Sequence, residues 1–364
     1  MKRKLPVAHF FSIILALGLL AGYKISSADP SEGGKTVMVS TLAGGGATYP
    51  EAGGFADGAG SDARFSSLSD ITVDASGHLY VTDSNRIRKV SPTGEVSTLA
   101  GSGKDGKADG PGATAQFSMP SGIAIDASGN LYVADMANHR IRKVSPKGEV
   151  ITLAGDGKYG FADGTGSAAK FAHPCGIAID ATGNLFVADR DNHRIRKISP
   201  KGEVSTFVGG KHGFADGAGN AAKFAQPCSI ATDAAGNLFV ADGENYRVRK
   251  VTPNGEVSTF ARGHGKQGFG APLGITIDKA GNVYVTAGNS LYKITQNGKI
   301  STFAGDGPMG SESGGFADGL GSNALFAVPI GIAIDKAGNL YAADAGNNRI
   351  RKLVFVTNPA SEAD

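Results

Sequence analysis

The sequence predicts an all-β fold, a closed six-bladed β-propeller of four-stranded antiparallel blades, and three observations carry that expectation. First, the phrase FAHPCGIAIDATGNLFVADRDNHRIRKISPKGEVSTFVG, residues 171–209, is spelled six times with small edits between Phe65 and Leu353. Repetition at this period marks stacked supersecondary units, each too small to bury its own apolar face. Second, an Asp closes the first strand of every copy, at Asp74, Asp126, Asp180, Asp233, Asp278 and Asp335. The intervals are 52, 54, 53, 45 and 57 residues, so strands of constant length are joined by loops that differ. Third, the sixth copy stops after its third strand, while the missing fourth strand stands at the other end of the chain. Residues 37–43 read VMVSTLA, and the VSTLAG they lead into repeats residues 96–101 letter for letter. A ring closed by that N-terminal strand pairs both ends, whereas an open array leaves two exposed edges.

Taken in order, the chain opens on a basic cluster at Lys2–Lys4 and an apolar run over 10–22, followed by Ser26-Ser27-Ala28. This reads as a secretory signal cleaved after Ala28. The run is shorter than the ~20 residues that span a bilayer, and Tyr23 stands where a lipidated cysteine would follow Leu19-Leu20-Ala21-Gly22. A secreted or periplasmic location is expected, with no membrane contact beyond the signal. Loss of Lys2, Arg3, Lys4 and Lys24 leaves 32 basic residues against 33 acidic ones. That balance removes the electrostatic case for nucleic acid. The 55 glycines fall at fixed places in each repeat and report turns, and Trp is absent. The chain divides into a signal peptide (1–28), a linker (29–36), the propeller (37–356) and a flexible tail (357–364), and a monomer is expected.

Within the second repeat, alternation and turn chemistry give four strands. GIAID (122–126) is short and apolar, as in a strand covered on both faces. The turn 127–129 leads to NLYVA (130–134), a loop over 136–139, RIRKV (140–144), a Pro-containing turn and EVITLA (149–154).

The pattern D-x-x-G-N-Φ-Y-V-A-D-x-x-N-x-R-I-R-K resembles the NHL repeat family. It is carried by Asp126, Gly129, Asn130, Tyr132, Asp135, Asn138, Arg140, Ile141 and Arg142 in the second repeat. The third repeat matches through Asp180, Gly183, Asn184, Phe186, Asp189, Asn192, Arg194, Ile195 and Arg196. The fifth departs, with Ala287 for the second Asp and Leu291-Tyr292-Lys293 for R-I-R. The resemblance implies six-bladed propellers that serve as partner-binding modules and, in at least one case, as a lyase. It does not choose between these functions.

In such a ring the second-to-third loops and the long inter-blade connections share one face, and the short turns share the other. Variable loops on one face point to a binding surface. The connections repeat FADG at Phe55–Gly58, Phe161–Gly164, Phe214–Gly217 and Phe316–Gly319. Their acids raise a calcium reading through Asp156 and Asp163. Their recurrence favours turns in which Asp takes local backbone hydrogen bonds and Phe plugs the gap between blades. The repeated Asp83, Asp135, Asp189, Asp242 and Asp344 are expected to pair with Arg88, Arg142, Arg196, Arg249 and Arg351 inside each blade.

Chemistry is therefore sought where the repeats differ. His173 occurs where other copies have Ser67, Met119, Gln226, Ala271 or Val328, just before the innermost strand. His139 and His193 match Tyr246 and Asn348 in the loops, beside Asn138 and Asn192. These six positions, Asn138, His139, His173, Asn192, His193 and Tyr246, are the ligand-binding candidates, and the three histidines are candidate ligands for zinc or another divalent metal. Cys175 and Cys228 share one column of neighbouring repeats, open to three readings: small buried fillers, an interblade disulfide, or a reactive pair. No P-loop, HExxH, GxSxG or paired CxxC occurs. The leading expectation is a protein, peptide or glycan partner on the long-loop face. The alternative is a metal-dependent lyase or lactone hydrolase at the channel mouth, with zinc or calcium.

Overall fold

The computed structural model describes residues 35–46, 53–263, 268–305 and 314–357. The signal peptide expected at 1–28 and its cleavage after Ala28 lie outside the described residues, and of the tail expected at 357–364 only Thr357 is described, where it ends the last strand. Six antiparallel sheets form a ring. In blade two the strands are Pro120–Ile125, Leu131–Asp135, Arg140–Val144 and Val150–Ala154, innermost to outermost. The innermost strand begins two residues earlier than its apolar run, because Pro120 already pairs with Asp135. Among the described helices none is long and apolar enough to cross a membrane.

Closure is as the sequence predicts. Lys35–Ala43 runs antiparallel to Arg349–Thr357 and completes blade six. It starts two residues before the expected boundary and takes Lys35 and Thr36 from the linker. Alternation fixes its faces: Val37 and Val39 are buried, while Met38 points outward.

Four blades carry a fifth, two-residue strand supplied by the inter-blade connection. Gly164–Thr165, for example, pairs with Glu203 and Val204 at the outer edge of blade three. The connection thus descends the rim of the next blade before entering its innermost strand. The short turns are built by Asx chemistry: Asp126 Oδ1 accepts the N–H groups of Ser128 and Asn130, both at 2.9 Å. Gly129 turns the corner at φ 82°, which only Gly adopts without strain.

The FADG phenylalanines do not plug the blades. Phe55, Phe161, Phe214 and Phe316 are 39–47% exposed and lie over Arg86, Arg194, Arg247 and Arg349 at 3.7–4.2 Å. The plugs are Phe65, Phe117, Phe171, Phe224, Phe269 and Phe326, the aromatic just before each innermost strand, all fully buried. The FADG acids also do more than hold a turn. Arg196 reaches Asp189 at 2.8 Å and Asp163 at 2.6 Å, so the connection is riveted to the blade it precedes. The same double pairing occurs at Arg88, Arg142, Arg249 and Arg351. Blade five replaces it with apolar contact: the strand register puts Ala287 and Tyr292 at the Asp and Arg positions, both buried.

Candidate functional site

The second-to-third loops and the starts of the innermost strands meet on one face, since Pro174 pairs with Asp189. In blades two to four each loop is a single 3-10 turn closed by a residue in the left-handed region: His139 (φ 53°), His193 (φ 54°) and Tyr246 (φ 53°). His173 has the same backbone sense at φ 48°.

The candidates sort into scaffold and surface. Asn138 and Asn192 are scaffold. Asn138 donates to Gly106 O and Asp135, and Asn192 donates to Gly160 O and Asp189; Asn245 and Asn347 make the same pairs in their own blades. Their recurrence withdraws them as ligand-binding residues. Tyr246 contributes backbone too, its carbonyl accepting from Gly263 N–H at 2.6 Å.

His139 and His193 are half scaffold. His139 Nδ1 accepts the His173 N–H at 3.2 Å, and His193 Nδ1 accepts the Gln226 N–H at 3.4 Å. Asn85 and Asn289 make the equivalent bond with a side-chain oxygen at two other junctions. An imidazole that accepts at Nδ1 carries its proton on Nε2 when neutral, which makes Nε2 a donor. Burial, helped by the charge of His173, pushes His139 down to about 4, so it stays in that neutral form. Burial likewise lowers His193, with His212 adding to the shift.

Around these stitches lies a polar and aromatic cluster. The His139 and His173 rings stand 4.7 Å apart, and Tyr159 meets them at 5.5 and 5.6 Å. His173 Nδ1 lies 2.6 Å from Asp191 Oδ2. Burial would raise the Asp191 carboxyl, but the His173 hydrogen bond and the charges of His173, Arg190 and His193 hold it below its ordinary value. His193 packs on His212 at 4.8 Å, and His212 reaches Glu244 at 3.1 Å. Tyr159, Asp191, His212 and Glu244 were missed by sequence reasoning. Asp191 and Glu244 stand where other loops have Ala137 and Gly346, and that column comparison would have found them.

The histidines thus form two neighbouring pairs, and the fit to a metal is poor. Among the described residues no group of three or more His, Cys, Asp or Glu is arranged to hold an ion. The Nδ1 atoms of His139 and His193 are taken by backbone, and Asp156 and Asp163 face Lys158 N–H and Arg196 respectively.

The interblade disulfide is not formed. Both cysteines are free, and each thiol has another partner on the channel wall. Cys175 Sγ lies 3.2 Å from Ser121 Oγ, and Cys228 Sγ donates to Pro272 O at 3.1 Å. Burial raises both thiols, which makes them poor nucleophiles at neutral pH.

One further departure lies deeper. In the column after the cysteines, four blades have Gly122, Gly176, Gly274 and Gly331, blade four has Ser229, and blade one has Asp70. The glycines are required: a Cβ on Gly122 would lie 2.3 Å from Cys175 O, and one on Gly274 would lie 2.1 Å from Ile330 O. Asp70 instead accepts its neighbour Ile71 N–H at 2.9 Å and Ile123 N–H at 3.1 Å. Burial raises it to about 6 against these bonds. A carboxyl raised on folding stabilises the fold fully below its unfolded pKa, and that contribution is lost as pH climbs through the folded value. Stability should therefore fall between about pH 4 and pH 6. Asp70→Asn should flatten that slope while its single acceptor oxygen keeps one of the two backbone bonds; an unchanged pH profile in urea melts would refute the assignment.

Residues 35–209 match the SMP-30/Gluconolactonase/LRE-like region, and residues 326–353 match the NHL repeat. NHL repeat-containing protein 2 of Gallus gallus is 30% identical over 343 residues, covering 79% of this chain and 46% of that protein. The chain therefore spans less than half the length of that relative. A protein of unknown function from Bacteroides thetaiotaomicron superposes with TM-score 0.66 at 20% identity, over 88% of this chain and 76% of the other. A gluconolactonase of Xanthomonas campestris does so with TM-score 0.59 at 13% identity, over 93% and 99%. At those identities the two structures share the fold alone. Sequence repeat, family match and ring closure converge: this chain is an NHL-repeat protein, a six-bladed β-propeller.

Proposed function

We propose that this propeller is an exported binding module that engages a protein, peptide or glycan partner through the long-loop face, in the sector of blades two to four. One observation carries the reading. Among the described residues of this face, two neighbouring groups break the repeated scaffold, Tyr159, His139, His173 and Asp191 in one and His193, His212 and Glu244 in the other. Tyr159, 60% exposed, offers an apolar body with a polar tip, the kind of side chain that anchors interfaces.

The other blades supply the variant that tests this. His139→Asn and His193→Asn keep an acceptor for the next blade's N–H, as Asn85 does, and His173→Met copies Met119. The triple variant should melt within a few degrees of the parent yet lose at least tenfold in affinity for whatever the parent selects from peptide and glycan arrays. Equal array profiles for parent and variant would sink the proposal.

A second reading is favoured by the match of residues 35–209 to the SMP-30/Gluconolactonase/LRE-like region: a metal-dependent lactone hydrolase or lyase at the channel mouth. Among the described residues no convergent ligand set stands there. Stoichiometric zinc or calcium surviving dialysis of the full chain would shift the balance toward it.

A further inference from the structure

Blade five differs from the rest at its outer edge. Sixteen residues, 155–170, separate Ala154 from the plug Phe171, but seven, 262–268, separate Ala261 from Phe269. The short connection lacks the Ala-Asp-Gly that precedes each of the other five blades, at 56–58, 108–110, 162–164, 215–217 and 317–319. In those blades the tripeptide covers the outermost strand. Gly58, Gly164, Gly217 and Gly319 each begin a two-residue rim strand, and in blade two Gly110 exchanges both backbone bonds with Val150 at 2.9 Å. The Asp caps the same strand: Asp57, Asp109 and Asp318 accept the N–H and hydroxyl of Thr98, Thr152 and Thr41 at 3.0–3.2 Å.

Ile300–Ala304, the outermost strand of blade five, has neither cover, and its sheet stops at four strands. Register equates Ile300 with Val150 and Thr302 with Thr152, so the backbone of Ile300 and the N–H of Thr302 face outward. Among the described residues nothing pairs with them. The side chains record the same gap. Val39, Val96, Val150, Val204 and Val257 are at most 3% exposed in this column, whereas Ile300 is partly exposed. Charge is reversed as well. Blade three carries Asp189, Arg196 and Glu203 on its second, third and fourth strands, one net negative charge, and still receives Asp163 from its own connection. Blade five has Ala287, Tyr292 and Lys299 in those columns, one net positive charge. An open edge bearing Lys resists pairing with a like edge and suits a strand that brings an acid.

We infer that the outer edge of blade five binds an extended segment of a partner protein by strand addition, and that the segment carries Ala-Asp-Gly or its near equivalent. Its Gly exchanges backbone bonds with Ile300, and its Asp takes the N–H and hydroxyl of Thr302. Lys299 supplies the positive charge that Arg196 supplies in blade three. The other five blades show the bound form, each with its own tethered copy. This edge lies on the rim and does not depend on the long-loop surface.

The probe is acetyl-GFADGTG-amide, which copies residues 160–166, titrated into the full chain at low salt with hydrogen exchange read at single amides. Saturable protection of the Ile300 and Thr302 amides is expected. A peptide with Asn for its Asp should bind at least fivefold more weakly. One with N-methylglycine for the Gly after that Asp should bind at least tenfold more weakly, because it loses a backbone donor. Both peptides leave the protein untouched. Lys299→Glu, which copies the charge of four other blades, should weaken the original peptide at least fivefold and keep the parent melt. No protection, protection confined to other amides, or equal binding by either altered peptide or by Lys299→Glu would each overturn the site. Protection of both amides before any peptide is added would show that the chain covers this edge itself, through a second copy where the protection grows with protein concentration, and would overturn the assignment to a partner.

Discussion

Arg196→Ala is expected to destabilise the ring by about 3–5 kcal/mol, the usual cost of removing one partner from a buried ion pair. Arg196 is fully buried. It donates to Asp189, to Asp163 and to the carbonyls of Lys170 and Ala162 at 2.6–2.9 Å, and its guanidinium lies 4.9 Å from the Phe161 ring and 5.0 Å from the Phe171 ring. Truncation strands the Asp189 carboxylate, whose pKa burial already raises against the Ala172 N–H, Arg196 and Asn192. It also removes one of the ties on the connection that carries Phe161 and Tyr159, which keeps its pairing with Glu203 and Val204. Blade five shows how the same space is filled without charge, with Ala287 and Tyr292 packed beside Phe269. Asp189→Ala with Arg196→Tyr, which leaves only the half-exposed Asp163 without its partner, should therefore lose less than Arg196→Ala, because removing both buried charges costs less than stranding one. Urea denaturation of both variants decides the matter: a double variant no more stable than Arg196→Ala would contradict it.

The same comparison explains what was legible in the sequence. Period, turn chemistry and the displaced VSTLAG read the ring and its closure directly, because those features are local or repeated. The Asp–Arg pairs were legible for the same reason. The role of the FADG aromatics was not. Two phenylalanines precede four of the six repeats, and only the path of the connection down the rim decides that Phe171 is the plug and Phe161 the lid over Arg194. The site was half legible. His139, His173 and His193 stand out as breaks in the repeat, but the stitch at Nδ1 is a contact between blades, invisible in one chain's spelling. Asp70 was overlooked because DITVD keeps the apolar rhythm of GIAID, and its meaning depends on glycines that face the next blade's backbone.

The largest effect should come from the strand that closes the ring. Lys35–Ala43 pairs with Arg349–Thr357 from Lys35 to Ala43 with one bulge, and its outer side pairs with Gly319–Leu320. Val37 and Val39 enter the core beside Leu340 and Leu353, and Ala43 enters that beside Phe65. Thr41 adds bonds from its N–H and hydroxyl to Asp318, which also receives Arg351. A chain beginning at Gly44 would expose the row of backbone groups on Arg349–Thr357 and the apolar surface beneath. Unpaired strand edges recruit other chains, so this truncation should self-associate and melt at least 10 °C lower. The synthetic peptide KTVMVSTLA should restore the melt by strand addition. Register makes the test specific: a peptide carrying Asp at the Val39 position should fail, since that side chain is buried, whereas one carrying Asp at the exposed Met38 position should work. Equal rescue by both peptides would show that the strand is held by backbone pairing alone and that the apolar face does not set the register of closure.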